Sequence, residues 1–483
     1  MERNHVLLIT TDHWFGSLLG GEGHPVVQTP TLDALARLGT TYTRAYSDCP
    51  VCIPARRTLM TGAPARVHGD RVFDESLAMP PLTTLAAAFG DAGYQTYAVG
   101  KLHVNPPRDR IGFDDVWLAE EGRTAFGAED DYELFLGERG HAGQQFAHGM
   151  GNNDFAMRPW HLDEASHVTN WITQQMARVI RRRDPTRPAF WYLSYTHPHP
   201  PLAPLAHYLD LYRDAEIDAP ATGSWSEDTA SLPYAVRINR LRWSHLGPRE
   251  TRQARMAFYA LCTHIDHQLR VIVGTLREEG ILDRTVILFT SDHGEMLGNH
   301  GLWVKRLLYE NSARVPLILV GAAGDERVPV GRRDDRLVGL QDVMPTLLGL
   351  AGCEVPASAT GRSVVGSDVR DHLYAEFGED ERATRMITDG RHKLIYYPAG
   401  NRSQLFDLAV DPAERDDLVP GGTHAEVVGR LTARLIAELY GGDVAWVRDG
   451  ELVGMPEPTS RPRPDRGLSS QRGSHWPRPP ARR

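Results

Sequence analysis

The stretch Cys49-Pro50-Val51-Cys52-Ile53-Pro54-Ala55-Arg56-Arg57-Thr58-Leu59-Met60-Thr61-Gly62 carries two overlapping patterns, Cys-x-x-Cys at 49–52 and Cys-x-Pro-x-Arg at 52–56. The first has the spacing of a redox pair but lacks a thioredoxin-like context. A thiol at Cys52 is a poor catalyst of ester hydrolysis without a base beside it, and the stretch holds no histidine. An inert buried cysteine is a further reading. The choice depends on what the rest of the chain brings to this point.

Upstream, residues 6–10 read as a short buried strand that gives way to a polar, Gly-rich stretch at Asp12. Thr29-Pro30 is a helix start, and Leu32, Leu35, Ala36 and Leu38 then form one apolar stripe. Downstream, residues 84–89 are helical in pattern and residues 94–99 strand-like, ending in Gly100-Lys101-Leu102-His103. Residues 105–160 are rich in Gly, acidic and aromatic residues with weak periodicity, which predicts long loops near the active face. A helix over 163–183 precedes a strand over 190–195 that ends in Thr196-His197-Pro198-His199-Pro200-Pro201. A second helix over 252–279 precedes a strand over 286–289 that ends in Ser291-Asp292-His293-Gly294-Glu295.

Helices alternating with short apolar strands predict an α/β fold, a mostly parallel sheet covered by helices on both faces. Such sheets collect ligand-binding groups beyond the carboxyl ends of their strands. Asp12, His103, His199, Asp292 and His293 each follow a predicted strand, so five polar groups remote in sequence can meet on one edge. After residue 370 the pattern changes to short strands over 373–377, 385–388 and 392–397, with a hairpin signal at Asp389-Gly390 and a covering helix over 425–440. The expected organisation is a catalytic domain over 1–368, an α+β subdomain with an antiparallel sheet over 369–445, and a Pro/Arg-rich tail over 446–483.

With Leu59, Thr61 and Gly62 following in register, Cys52-Ile53-Pro54-Ala55-Arg56 resembles the signature of the type I, formylglycine-dependent sulfatases of the alkaline phosphatase superfamily. Thr11-Asp12, Thr29-Pro30-Thr31-Leu32-Asp33, Gly100-Lys101-Leu102-His103, Ser291-Asp292-His293-Gly294-Glu295, Lys305, Arg314-Val315-Pro316 and Leu405-Phe406-Asp407-Leu408 look like further landmarks of that family, in its order. The resemblance implies an alkaline-phosphatase-like fold and hydrolysis of a small sulfate ester. It also implies that a formylglycine-generating enzyme oxidises Cys52 to an aldehyde whose hydrate is the nucleophile, with Arg56 holding the charge of its oxygens.

By the same resemblance Asp12, Asp292 and His293 bind one divalent cation together with the modified Cys52. His13 stands where the family often has a second acidic residue, which thins the oxygen donors and sets Mn2+ or Mg2+ against the expected Ca2+. Lys101 and Lys305 match lysines that contact the transferred group. His103 matches the residue that orients the formylglycine, and His199 the general acid for the leaving oxygen. His197 is a second candidate for the substrate pocket, and Glu295 reads as a support for the metal ligands rather than a ligand. Near the loop after His68-Gly69, Phe73 and Asp74 stand where the family often has an asparagine. Two alternatives stay open: a phosphonate monoester hydrolase or phosphodiesterase of the same fold, and a non-catalytic metal- or anion-binding relative with unconverted Cys52.

The 483 residues exceed what one core usually supports, which agrees with a large domain plus a smaller one. A net charge of -9 speaks against nucleic acid as partner. The apolar run at 6–9 is too short for a signal segment or a membrane span, and four cysteines are too few for a disulfide framework. A cytoplasmic enzyme is expected. Cys262 and Cys353 read as inert thiols, and Trp476 in the tail offers a contact through which a homo-oligomer could form.

Overall fold

The computed structural model describes residues 3–122, 130–151 and 153–459. Its centre is a nine-stranded sheet. Strands β1 (His5–Asp12), β2 (Thr40–Tyr46), β3 (Gln95–Gly100), β4 (Asp115–Leu118), β5 (Ala189–Pro198), β6 (Thr285–Ser291), β7 (Arg314–Val315), β8 (Leu317–Val320) and β9 (Arg332–Gly339) contribute to it. The order β4-β3-β5-β1-β6 is parallel throughout, and β8 then runs antiparallel between β6 and β2. β7 and β9 complete the sheet on β2.

Alternation along the central strands splits the core in two. Leu7, Ile9, Trp191, Leu193, Ile287 and Phe289 face one side, while Val6, Leu8, Phe190, Tyr192, Val286 and Leu288 face the other. The first side is covered by α1 (Pro30–Leu38), α3 (Val168–Arg181) and α4 (Pro248–Glu278). The second is covered by α2 (Cys52–Thr61) and α5 (Val343–Leu350). Because both faces are buried, β1, β5 and β6 each carry an unbroken apolar run, Val6–Ile9, Ala189–Leu193 and Val286–Phe289, and polar residues follow it toward their carboxyl ends.

The region predicted as long loops also contains β4, which pairs with β3, and a helix over Asp131–Glu138. A four-residue edge strand buries one face only and shows little periodicity among loop residues. The strands β2, β8 and β9 were likewise not anticipated.

The C-terminal sheet has the predicted strands β10 (Leu373–Phe377), β11 (Thr384–Thr388) and β12 (His392–Tyr397), plus β13 (Arg402–Asp407) on its edge. At the expected turn, Gly390 adopts φ 90°, and the Asp389 carboxylate accepts from the backbone N–H of His392 at 2.7 Å. Helix α6 (Ala425–Glu438) covers one face through Leu431 and Leu435. The other face packs Met386, Ile395 and Phe406 against Tyr46, Met296 and Tyr309 of the large unit. A short hairpin, β14 (Val447–Arg448) with β15 (Glu451–Leu452), follows, and Trp476 lies outside the described residues. No described helix is long and apolar enough to cross a membrane.

Candidate active site

The carboxyl ends of β1, β3, β5 and β6 and the first turn of α2 meet in one buried pocket of charge. Asp12, His13, Lys101, Asp292 and His293 are fully buried, and Cys52, Arg56, His199 and Lys305 nearly so. Gly100 permits the approach at β3: it holds φ 109°, and a Cβ there would lie 1.8 Å from the Ser194 carbonyl oxygen.

Cys52 is the first residue of α2, where the unpaired backbone N–H groups of a helix favour negative charge. Its Sγ lies 3.2 Å from His293 Nε2 and 3.9 Å from an Asp12 carboxylate oxygen. Burial and Asp12 push this thiol up, but Lys305, Lys101 and His293 outweigh them and hold it below its ordinary value. Cys49 points away, toward the Arg71 carbonyl oxygen, and burial pushes it well up. Both cysteines are free thiols. The two sulfurs therefore occupy opposite environments, which argues against a redox pair.

One turn along α2, Arg56 spends its guanidinium on its neighbours. Nε donates to Asp292 at 3.0 Å, and Nη1 to the Lys101 carbonyl at 2.8 Å and Ser194 Oγ at 2.9 Å. Nη2 has no hydrogen-bond partner but lies 3.5 Å from Asp12. Lys101 Nζ donates to Asp12 and, at 2.7 Å, to Glu121. Burial pushes Asp12 up, yet Lys101, His199, His13 and Arg56 together hold it well below the usual carboxylate range. Asp292, more thinly compensated, is pushed up by burial and by Asp12.

His13 Nδ1 is 2.8 Å from Glu295, and its Nε2 meets Lys305 Nζ. An ammonium can only donate, so Nε2 accepts and Nδ1–H donates to the carboxylate. Burial and Lys305 push this imidazole well down. His199 is arranged alike: Nδ1 lies 2.6 Å from the Pro200 carbonyl oxygen, and Nε2 lies 3.3 Å from Lys305 Nζ. Burial takes it down to about 3. Lys305 thus faces two imidazole nitrogens and forms no ion pair with a described carboxylate.

Asp12, His13, Cys52 and His293 offer ligand atoms that all lie within 4.8 Å of one another, a donor set able to hold a metal ion. Asp292 stands just outside this group, turned to Arg56 and to the His293 backbone N–H at 2.8 Å. His103 and His197 sit further out. His103 faces a side cleft with Ile53 and Glu75, and its ring meets Phe73 edge-on at 5.6 Å. His197 lies behind His199, hydrogen-bonded to its carbonyl oxygen at 3.1 Å and beside the His167 ring. Glu121, which groups with Asp12 and His199, and Glu120, which accepts from the Leu102 and His103 N–H groups, were missed in sequence. They follow β4, the strand the sequence conceals.

The sulfatase family pattern matches residues 4–353, and that of the N-sulphoglucosamine sulphohydrolase C-terminal region matches residues 298–439. An arylsulfatase of Clostridium perfringens (strain 13 / Type A) is 32% identical over 474 residues, covering 94% of this chain and 98% of its own. A choline-sulfatase of Rhizobium meliloti (strain 1021) is 30% identical over 436 residues, covering 86% and 82%. The crystal structure of a phosphonate monoester hydrolase of Agrobacterium radiobacter shares the fold, with a TM-score of 0.78 at 24% identity over 92% of this chain and 97% of that one.

Proposed function

The chain belongs to the sulfatase family of the alkaline phosphatase superfamily, and from that premise we propose that it hydrolyses a sulfate monoester at the Cys52 cluster. The observation that carries this reading is the buried ammonium of Lys305, which has no carboxylate partner among the described residues and stands beside Cys52 and His199. A buried cation without a counter-ion is costly, and a bound sulfate supplies one.

Oxidation of Cys52 by a formylglycine-generating enzyme with O2, followed by addition of water to the aldehyde, would supply a geminal diol. One hydroxyl oxygen would bond to sulfur as the S–O bond to the alcohol breaks, and loss of the proton from the other would re-form the aldehyde and expel sulfate. Asp12, His13, His293 and residue 52, with Asp292 beside them, would hold a divalent cation that neutralises charge on the transferred oxygens. Two imidazoles make this set nitrogen-rich for Ca2+ and suit Mn2+ better. Glu295 fixes the orientation of His13, and Arg56 that of Asp292. Lys101 and Lys305 hold the sulfate oxygens from two sides. His199, its Nδ1 tied to the Pro200 carbonyl, turns Nε2 toward Lys305, and this pair delivers the proton to the leaving alcohol. His103 and His197 line the approach. The four free thiols suit a reducing compartment.

Mass spectrometry of the Cys52 peptide from the native host, with paired assays on an aryl sulfate and an aryl phosphonate monoester, tests the proposal. Formylglycine and a sulfate preference are expected. Full activity with only thiol at position 52 overturns the nucleophile, and a phosphonate preference of several orders of magnitude reassigns the reaction to phosphorus. Chelation should abolish turnover, and Mn2+ should restore it more fully than Ca2+.

A further inference from the structure

Lys305 also lines a cleft of about 450 Å³ between the loops of the large sheet and the edge of the C-terminal sheet. Phe73, Trp243 and Phe377 give it aromatic walls, and Arg242, Arg306 and Arg382 join Lys305 in its lining. Of the two acidic residues at its margin, Glu379 is paired with Arg71 at 3.2 Å, and Asp380 is exposed. The lining is therefore apolar in body and cationic in balance.

Arg306 is its centre. Its backbone N–H donates to the Pro50 carbonyl at 3.0 Å, which ties it to the turn that carries Cys52. Its guanidinium lies near two rings, 5.4 Å from the centre of Phe73 and 5.9 Å from that of Phe377. At these distances the rings attract the cation electrostatically without using its N–H donors. The residue holds φ 76°, a left-handed conformation that side chains rarely adopt. Among the described residues no carboxylate pairs with it. Burial pushes the guanidinium down, Cys52 pushes it up, and Arg242 and Arg382 push it down again.

We infer that this cleft receives the alcohol portion of the ester and that this portion is a ring-bearing, anionic group, its carboxylate or equivalent anion held by Arg306. This rests on cleavage occurring at Cys52. A guanidinium close to two aromatic rings, partly desolvated and with no carboxylate partner among the described residues, gains most from an oxyanion that accepts two N–H bonds. Arg242 and Arg382 add attraction from the rim, and the same three arginines repel a quaternary ammonium. Phe73 does double service, since it packs on both His103 and Arg306 and so connects the cleft to the catalytic edge.

The test uses four substrates: the sulfate and the phenylphosphonate monoesters of 4-hydroxybenzoate and of its methyl ester. The ratio of kcat/KM for carboxylate over methyl ester is measured in the full-length enzyme and in Arg306→Met. Comparing the two ratios cancels the intrinsic difference between the leaving groups. The ratio should fall by about ten- to a hundredfold in the variant, mainly through KM, while the methyl ester is turned over within about threefold of the parent enzyme. An unchanged ratio overturns the inference. If only the phosphonates are hydrolysed, the sulfate assignment fails while the ratio still decides the cleft. Should Arg306→Met not fold, competitive inhibition of the parent enzyme by 4-hydroxybenzoate against its methyl ester decides instead. Inhibition tighter by about tenfold or more for the carboxylate supports the inference, and equal or weaker inhibition overturns it.

Discussion

Two kinds of buried charge lie in this molecule, and they are built on opposite principles. At the C-terminal sheet, Arg385 holds Asp443 through two bonds of 2.7 and 3.0 Å and spends Nη1 on the carbonyls of Phe377, Gly378 and Thr384. Arg71 reaches the same aspartate at 2.9 Å and Glu376 at 3.2 Å. Lys393 sits between Glu310 and Glu414, 2.7 Å from each. Every cation there has a carboxylate. At the catalytic edge Arg56 and Lys101 are also paired with carboxylates, but among the described residues Lys305 meets only imidazoles and the Arg306 guanidinium only aromatic rings. The matched groups join the subdomain to the large unit, and the unmatched cations Lys305 and Arg306 leave charge for a ligand to complete. Removing a group from the first should cost stability, and from the second, activity.

The largest effect is expected at Cys52. Cys52→Ala should reduce kcat on the order of 10⁴-fold or more, leaving thermal stability almost unchanged. A stable variant that still turns over would remove residue 52 from the chemistry.

Next is Asp443→Ala, which strips Arg385 and Arg71 of a shared partner and should lower unfolding free energy by about 3–5 kcal/mol. Denaturant melts measure it, and a loss under about 1 kcal/mol would show that this cluster is not the structural one.

Lys305→Met reverses the pattern. Activity should fall about 10²- to 10³-fold, as for a removed transition-state donor, while the melting temperature holds or rises because a buried uncompensated charge has gone. A fall in melting temperature as large as that of Asp443→Ala would erase the distinction between the clusters.

The smallest effect concerns pH. Burial raises Glu414 to about 7, Lys393 pulls it down, and Glu310 pushes it up. A folded-state value above the unfolded one means that the stabilisation is complete below about pH 4.5 and is lost as pH rises through 7. Stability should therefore decline by about 3 kcal/mol over that window. Glu414→Gln should flatten the decline, and an unaltered slope in thermal melts taken from pH 5 to 8 would assign it to other groups.

Much of the site was legible before any coordinates. Asp12, His199, Asp292 and His293 were legible because each follows the apolar stretch of a strand buried on both faces, and Lys101 because it matches a lysine of the family the chain resembles. His103 and His197 satisfied the same rule, yet they lie further out. Glu121 was hidden because β4 is a short edge strand with little periodicity, and β2 because its polar residues, such as Thr40, Thr41 and Arg44, mask it.

By itself the sequence determined the family, the α/β alternation, the residue at the head of α2 and the polar groups at the strand ends, because each is a local pattern read over a few neighbouring residues. Only the tertiary structure decided which charges are matched. Lys393 and Lys305 are both buried lysines, and nothing within a few residues of either distinguishes them. Glu310 and Glu414 reach the first from remote segments, and among the described residues no carboxylate reaches the second. Compensation of a buried charge depends on distances between segments far apart in the chain.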